Sequence, residues 1–269
     1  AAPDVPERLI AQTNGWQLTT PADEVETYDA EGRLTSIASR EGYVQTLSYL
    51  DSGNHPRDQV RRVTDPQGHS LTFTYDAAGR LSQLTDANGQ VIGYGYDAAN
   101  NLATVTYPTV GSGTVTRTYH YNETGQTSGA SLPHALTGIV DENNARYASW
   151  GYTANGRANL SVHGTFSGGT VDRTALLFNS NGTTTVTDAL GQARVFGFSV
   201  TYGVARQASL DKSCNYCGRP PQTETYDANG YPATATDFNG YATHYTFDAR
   251  GLEDQRVEAV GQPEQRTLA

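Results

Sequence analysis

Residues 75–97, YDAAGRLSQLTDANGQVIGYGYD, begin and end on the same dipeptide, and between them sits a second turn-like string, D-A-N-G at 86. A catalytic motif normally occurs once, whereas a structural unit that stacks on copies of itself recurs at a fixed period. The recurrence extends outward in both directions. Tyr28, Tyr49, Tyr75, Tyr96, Tyr226 and Phe247 are aromatic anchors, and Tyr28 to Tyr49, Tyr75 to Tyr96 and Tyr226 to Phe247 are each 21 residues apart.

After most anchors comes an aspartate and, three residues later, a glycine: Tyr28-Asp29…Gly32, Tyr75-Asp76…Gly79, Tyr226-Asp227…Gly230 and Phe247-Asp248…Gly251. Looser versions stand at 121, 152 and 178. Further D-x-x-G strings, at 65, 86, 188 and 237, each precede an aromatic residue by ten positions. Aspartate opening a type I turn accepts a hydrogen bond from the backbone N–H two residues on, and glycine in fourth place takes the left-handed conformation that closes such a hairpin with a bulge. At Tyr96-Asp97 the glycine is replaced by Asn100, the next most tolerant residue at positive φ. The turns therefore predict a reversal about every ten residues, with strands of five to seven between them.

Ahead of the turns, rings alternate with small or polar residues: F-T-Y at 73, Y-G-Y at 94, Y-H-Y at 119, W-G-Y at 150, F-G-F at 196 and Y-T-F at 245. A period of two places both rings on one face of a strand. Gly95, Gly151 and Gly197 between rings predict close backbone approach, a bend or a ring lying over them. No window shows a sustained helical apolar stripe. The fold class expected is all-β: a repetitive antiparallel hairpin meander forming a curved or spiral sheet. The pattern is weakest at 1–22, 122–145, 163–175 and 203–222, which read as loops along one edge. The domain reading is a lead-in over 1–22, one repeat unit over 23–255 with a cysteine-containing insertion near 203–222, and an extension over 256–269.

With 269 residues, 28 of them acidic and 18 basic, the chain carries a formal charge of −10, which disfavours non-specific binding to nucleic acid or anionic membrane. No apolar stretch reaches the length of a membrane span, and the first 30 residues lack a signal peptide's basic start and apolar middle. Methionine is absent even at position 1, which favours a piece of a longer protein.

Catalytic signatures are missing. The six histidines occur singly, with no H-E-x-x-H. There is no G-x-S-x-G, and G-T-F-S-G at 164 has the wrong spacing. D-A-N-G lacks the further ligands of a calcium loop, and no carboxylate pair stands apart from the turn aspartates. No catalytic, cofactor-binding or metal-binding residue is assigned, and no cofactor is expected. Cys214 and Cys217 form one C-x-x-C, read as a locally structural pair, free or disulfide-bonded, as half a metal site completed elsewhere, or as a redox dithiol. Exposed aromatics such as Trp150 and Tyr152 raise a second function, a carbohydrate- or protein-binding surface; the bland alternative is cross-strand packing.

The Y-D-x-x-G-R-L of residues 75–81, its relatives at 28–34 and 247–252, and the intervening D-x-x-G turns resemble the RHS or YD repeats of bacterial polymorphic toxins and of animal teneurins. The resemblance covers roughly residues 24–255. It implies a β-sheet spiralling into a shell around a C-terminal toxin or effector carried by the same polypeptide, in secreted or cell-surface bacterial proteins that travel by type VI secretion or as the cocoon of insecticidal toxin complexes. It also implies that the chain is not an enzyme, and that its partners are the remaining repeats and that C-terminal domain. The chain is shorter than a complete shell, and its end lacks the D-P-x-G-L self-cleavage signature that closes many shells.

Overall fold

The structure, a computed structural model, describes residues 7–50, 59–109, 114–165, 171–213 and 220–269. Cys214 and Cys217 lie outside the described residues. Among the described residues there are 23 strands and no helix, and the strand pairings given below are antiparallel. The all-β hairpin meander expected from the turn spacing is the fold.

Two units divide the chain, residues 1–120 with 139–145, and residues 121–138 with 146–269. In the first, strands Arg8–Gln12 (β1), Gly15–Thr19 (β2), Val25–Tyr28 (β3), Leu34–Ala38 (β4), Val44–Tyr49 (β5), Val60–Thr64 (β6), Ser70–Tyr75 (β7), Leu81–Thr85 (β8), Val91–Tyr96 (β9), Leu102–Pro108 (β10) and Thr114–Tyr121 (β11) each pair with the next in sequence. Leu136–Val140 (β12) follows. In the second unit the same nearest-neighbour pairing runs through Arg146–Tyr152 (β13), Ala158–His163 (β14), Thr174–Phe178 (β15), Thr184–Thr187 (β16), Ala193–Thr201 (β17), Val204–Leu210 (β18), Thr223–Tyr226 (β19), Pro232–Thr236 (β20), Ala242–Phe247 (β21), Glu253–Glu258 (β22) and Arg266–Leu268 (β23). Neither run closes on itself among these pairings.

The predicted alternation is visible as burial. In β7, Phe73 and Tyr75 are partly buried with Thr74 exposed between them, and in β21 Tyr245 and Phe247 flank exposed Thr246 in the same way. The F-G-F of β17 departs from it, since Phe198 is exposed and Gly197 is buried. A Cβ added at Gly95 would overlap Thr104 Oγ1, and one added at Gly197 would overlap Ser209 Oγ, each belonging to the register partner. These two glycines therefore serve close cross-strand approach.

Strands also occupy segments where the repeat's letters fade. β1 and β2 lie within 1–22, β12 lies within 122–145 and β18 lies within 203–222, where loops were expected. The antiparallel ladder at β1, β2 and β18 rests on backbone pairing without the tyrosine–aspartate–glycine motif. The core is thin. Among described hydrophobic residues, Val105, Ala148, Val162 and Leu210 are the ones fully buried, while Leu9, Tyr43, Leu177 and Val200 are largely exposed.

Candidate functional site

The residues singled out in the sequence assemble into turns of one geometry. Asp76 Oδ1 accepts from the backbone N–H of Ala78 at 2.9 Å and of Arg80 at 2.9 Å, and Gly79 N–H donates to the Asp76 carbonyl at 2.9 Å. Asp29, Asp97, Asp227 and Asp248 accept the same two amide bonds in their own turns. The fourth position is left-handed throughout: φ is 83° at Gly32, 79° at Gly79, 66° at Asn100, 84° at Gly230 and 80° at Gly251. The intervening turns at Asp65, Asp86, Asp188 and Asp237 are built alike.

The arginine of Y-D-x-x-G-R-L closes each turn from the side. Arg80 Nε donates to Asp76 Oδ2 at 2.8 Å and Arg33 Nε to Asp29 Oδ2 at 2.7 Å. At the Asn100 turn, Asn101 Nδ2 fills that role on Asp97 at 2.8 Å. The backbone N–H of Arg80, followed by its guanidinium, holds the Asp76 carboxyl below the usual carboxylate range; the backbone N–H of Leu252 leads in doing so for Asp248.

What the sequence did not reveal is that successive turns are tied together by the anchors. Every anchor from Tyr28 to Phe247 follows a β-bulge: the register shifts between Thr27 and Tyr28, Ser48 and Tyr49, Thr74 and Tyr75, Thr225 and Tyr226, and Thr246 and Phe247, and opposite Tyr96 it shifts between Leu102 and Thr104. A bulge re-aims the side chains beside it. The anchor hydroxyl then reaches back one repeat. Tyr49 donates to the Leu34 carbonyl at 2.8 Å, Tyr75 to Val60 at 2.8 Å, Tyr96 to Leu81 at 2.9 Å and Tyr226 to Gln207 at 2.8 Å. Those four acceptors are the register partners of the preceding aromatic residues, Tyr28, Tyr49, Tyr75 and Phe198. Each tyrosine is thereby bonded to the bulge of the unit before it.

The residue preceding each acceptor covers the anchor ring. The Arg33 guanidinium carbon lies 5.1 Å from the Tyr49 ring centroid, Arg80 4.4 Å from Tyr96, Arg157 3.4 Å from Phe178 and Arg206 5.3 Å from Tyr226. Tyr231 stacks on Phe247 at 4.9 Å, replacing cation–π attraction with ring contact. Gln59 takes that place before Val60, and its Nε2 donates to the Gly79 carbonyl at 2.6 Å. These covering side chains also reach the next turn. A Cβ on Gly230 would lie 2.9 Å from Arg206 Nη2, one on Gly251 would lie 2.7 Å from Tyr231 Cζ, and Arg80 Nη1 donates to Asn100 Oδ1 at 2.7 Å. By contrast nothing lies within 4 Å of a Cβ on Gly68, Gly89 or Gly240 in the intervening turns. The anchor-turn glycines at 230 and 251 thus answer to space as well as to φ.

Burial, then the Glu224 carboxylate that Tyr226 also contacts at 2.9 Å, push the Tyr226 hydroxyl up to about 12. Burial raises Tyr75 and Tyr152 as well. Tyr152 Oη donates to the Leu136 carbonyl at 2.9 Å. Among the described residues no group of three histidines, cysteines, aspartates or glutamates is arranged to hold a metal ion. No helix of the described residues is long and apolar enough to cross a membrane.

This linkage of bulge, hydroxyl and covering arginine runs through the part of the chain that a family model matches. The RHS repeat model fits residues 55–91 and again 76–109. Residues 55–109 are similar to RHS repeats. In the matched segment the letters acquire places: tyrosine bonds backward, aspartate and glycine turn the chain, arginine covers the ring ahead, and the following leucine offers the carbonyl.

Among solved structures, TcdB2-TccC3 is similar at 12% identity and a TM-score of 0.57, over 97% of this chain and 16% of that one. TcdB2-TccC3-TEV is similar at 13% identity and a TM-score of 0.54, again over 97% and 16%. The Photorhabdus luminescens Tc holotoxin pore is similar at 12% identity and a TM-score of 0.53, over 94% and 15%. The chain spans about one-sixth of the length of these proteins. At such identities the likeness is one of fold. No curated protein matches the sequence.

Proposed function

We propose that this chain is a non-enzymatic segment of an RHS shell that encloses or presents a C-terminal toxin or effector of a larger secreted bacterial polypeptide. The observation that carries the proposal is the linkage itself. Tyr49, Tyr75, Tyr96 and Tyr226 each donate a hydroxyl to a carbonyl of the repeat before, and few apolar side chains are fully buried, which supports a stability that resides in the stacking of neighbours. The turn residues Tyr28, Asp29, Gly32, Tyr75, Asp76, Gly79, Tyr96, Asp97, Asn100, Tyr226, Asp227, Gly230, Phe247, Asp248 and Gly251 are in this reading architectural. Residues 23–255 form the repeat unit between a lead-in and an extension.

The rival surface-binding reading draws on the exposed aromatics. The anchor hydroxyls already donate to backbone carbonyls, and several anchor rings are covered, which supports packing as their role.

The test uses the polypeptide encoded by the complete reading frame. Under graded protease, the shell reading expects its C-terminal region to survive conditions that degrade the same region produced alone. Equal degradation, or a reading frame ending near residue 269, would overturn it.

A further inference from the structure

At one place the repeat is modified. Tyr152 follows a bulge, where the register passes from Gly151 opposite Leu160 to Tyr152 opposite Ala158, leaving Asn159 as the extra residue. At two of the anchor bulges the extra residue is a small hydroxyl bonded within the sheet, Thr35 donating to the Thr27 carbonyl at 3.0 Å and Ser82 to the Thr74 carbonyl at 3.1 Å, while at the others it is Arg61, Ala103, Ala233 or Asp254. Asn159 makes no such bond among the described residues, so its amide is open.

Over this bulge folds the segment 122–135, which is long for the ten-residue rhythm. Tyr152 N–H donates to the Gln126 carbonyl at 2.6 Å, and Ser128 Oγ donates to the Tyr152 carbonyl at 2.7 Å, fixing the segment to the end of β13. Asn122 Oδ1 accepts from Leu132 N–H at 2.7 Å and Thr127 Oγ1 donates to the Ala130 carbonyl at 2.7 Å, so the segment is itself braced. Between it and the start of β15 lies a cleft of about 300 Å³, to which Gln126, Ser128, Tyr152, Asn159 and Arg173 contribute.

Arg33, Arg80, Arg146 and Arg194 each meet a carboxylate, whereas Arg173, partly buried, meets none among the described residues. The side-chain amides of Gln126 and Asn159, also partly buried, likewise have no hydrogen-bond partner among the described residues. A guanidinium offers a planar fork to a carboxylate. An amide supplies a donor and an acceptor together, the complement of a hydroxyl group. Gly125 and Gly151 leave the walls without side chains. The volume is at the small end for ligand sites and suits one ring more than an extended peptide.

We infer that this cleft is a binding site for a hydroxylated carboxylate of single-sugar size, a hexuronate, with Arg173 on the carboxylate and Gln126 and Asn159 on ring hydroxyls. This goes beyond the shell reading, which stands or falls separately by the protease test.

Titration of the intact chain with glucuronate, followed by calorimetry and by saturation-transfer NMR, is compared with glucose, acetate and a short aspartate-rich peptide. Saturable binding of glucuronate, weakened about tenfold or more in Arg173→Gln and reduced in Asn159→Ala, is expected. Because Arg173 has no internal partner to lose, Arg173→Gln should keep the parent's circular dichroism and melting, and a variant that does not is replaced by Arg173→Lys, which retains the charge but not the fork and is expected to weaken binding. Overturning results are glucuronate binding no tighter than glucose, acetate binding as tightly as glucuronate, the peptide binding more tightly than either, or glucuronate affinity indifferent to residue 173.

Discussion

Replacing Tyr96 by phenylalanine removes one oxygen and leaves the ring beneath the Arg80 guanidinium, 4.4 Å away. What is lost is the 2.9 Å bond to the Leu81 carbonyl, a neutral and partly buried hydrogen bond for which about 1 kcal/mol is the reasonable scale. Tyr96→Ala also removes the ring, its apolar contacts and the cation–π attraction, for a total of about 3 kcal/mol. Because repeats couple mainly to their neighbours, the loss should be local. Hydrogen exchange read by mass spectrometry should show faster exchange in β8 and β9 and parent-like exchange in β21 and β22, while a urea midpoint shifts in proportion. The reverse substitution supplies a matched control. Phe247 is an anchor with no hydroxyl, and Pro232, register partner of the preceding anchor Tyr226, stands where its acceptor belongs. Phe247→Tyr should therefore stabilise β20 and β21 by up to about 1 kcal/mol. The reasoning is refuted if Tyr96→Phe exchanges like the parent throughout, or if it costs as much as Tyr96→Ala.

Gly251→Ala and Gly240→Ala both force alanine to positive φ, at about 1 kcal/mol, but the first also drives Tyr231 off Phe247; melting temperatures should fall further for Gly251→Ala, and equal losses would remove the claim that the covering ring needs that glycine. Asp65, Asp76, Asp188 and Asp248 have folded-state pKa values lowered by the hydrogen bonds they accept, so their stabilisation is complete above the unfolded value near pH 4 and disappears as pH falls through the folded one. Asp76→Asn should accordingly flatten the acid limb of a stability-versus-pH curve measured by urea unfolding. Tyr226 runs the opposite way: its raised value means stabilisation present below pH 10 and lost as pH rises toward about 12, so a late tyrosinate absorbance step near 295 nm should vanish in Tyr226→Phe.

Local chemistry was legible in the letters because it is local. An aspartate that bonds to amides two and four residues on, and a residue at positive φ two positions before the next strand begins, leave a short signature that survives in every copy, including the Asn100 variant. Alternating rings announced the strands for the same reason. The hydroxyl bonds span 15 to 19 residues, and nothing in the spacing of Tyr75 and Val60 marks them as partners until the register is known. The bulges were equally silent, since the extra residues Thr35, Ser82 and Asn159 share no composition that separates them from ordinary strand positions. Strands β1, β2 and β18 escaped notice because their pairing needs no anchor.

The places where the letters fail differ in kind. At β1, β2 and β18 the motif is absent while the backbone continues as before, so the ladder tolerates degeneration of its side chains. At 122–135 the backbone itself is altered: a segment is added, and Tyr152 bonds to that segment through its own N–H and carbonyl. Three polar side chains without a hydrogen-bond partner among the described residues, Gln126, Asn159 and Arg173, border the same cleft. Unmatched polar capacity gathered around one cleft is what a ligand would complete.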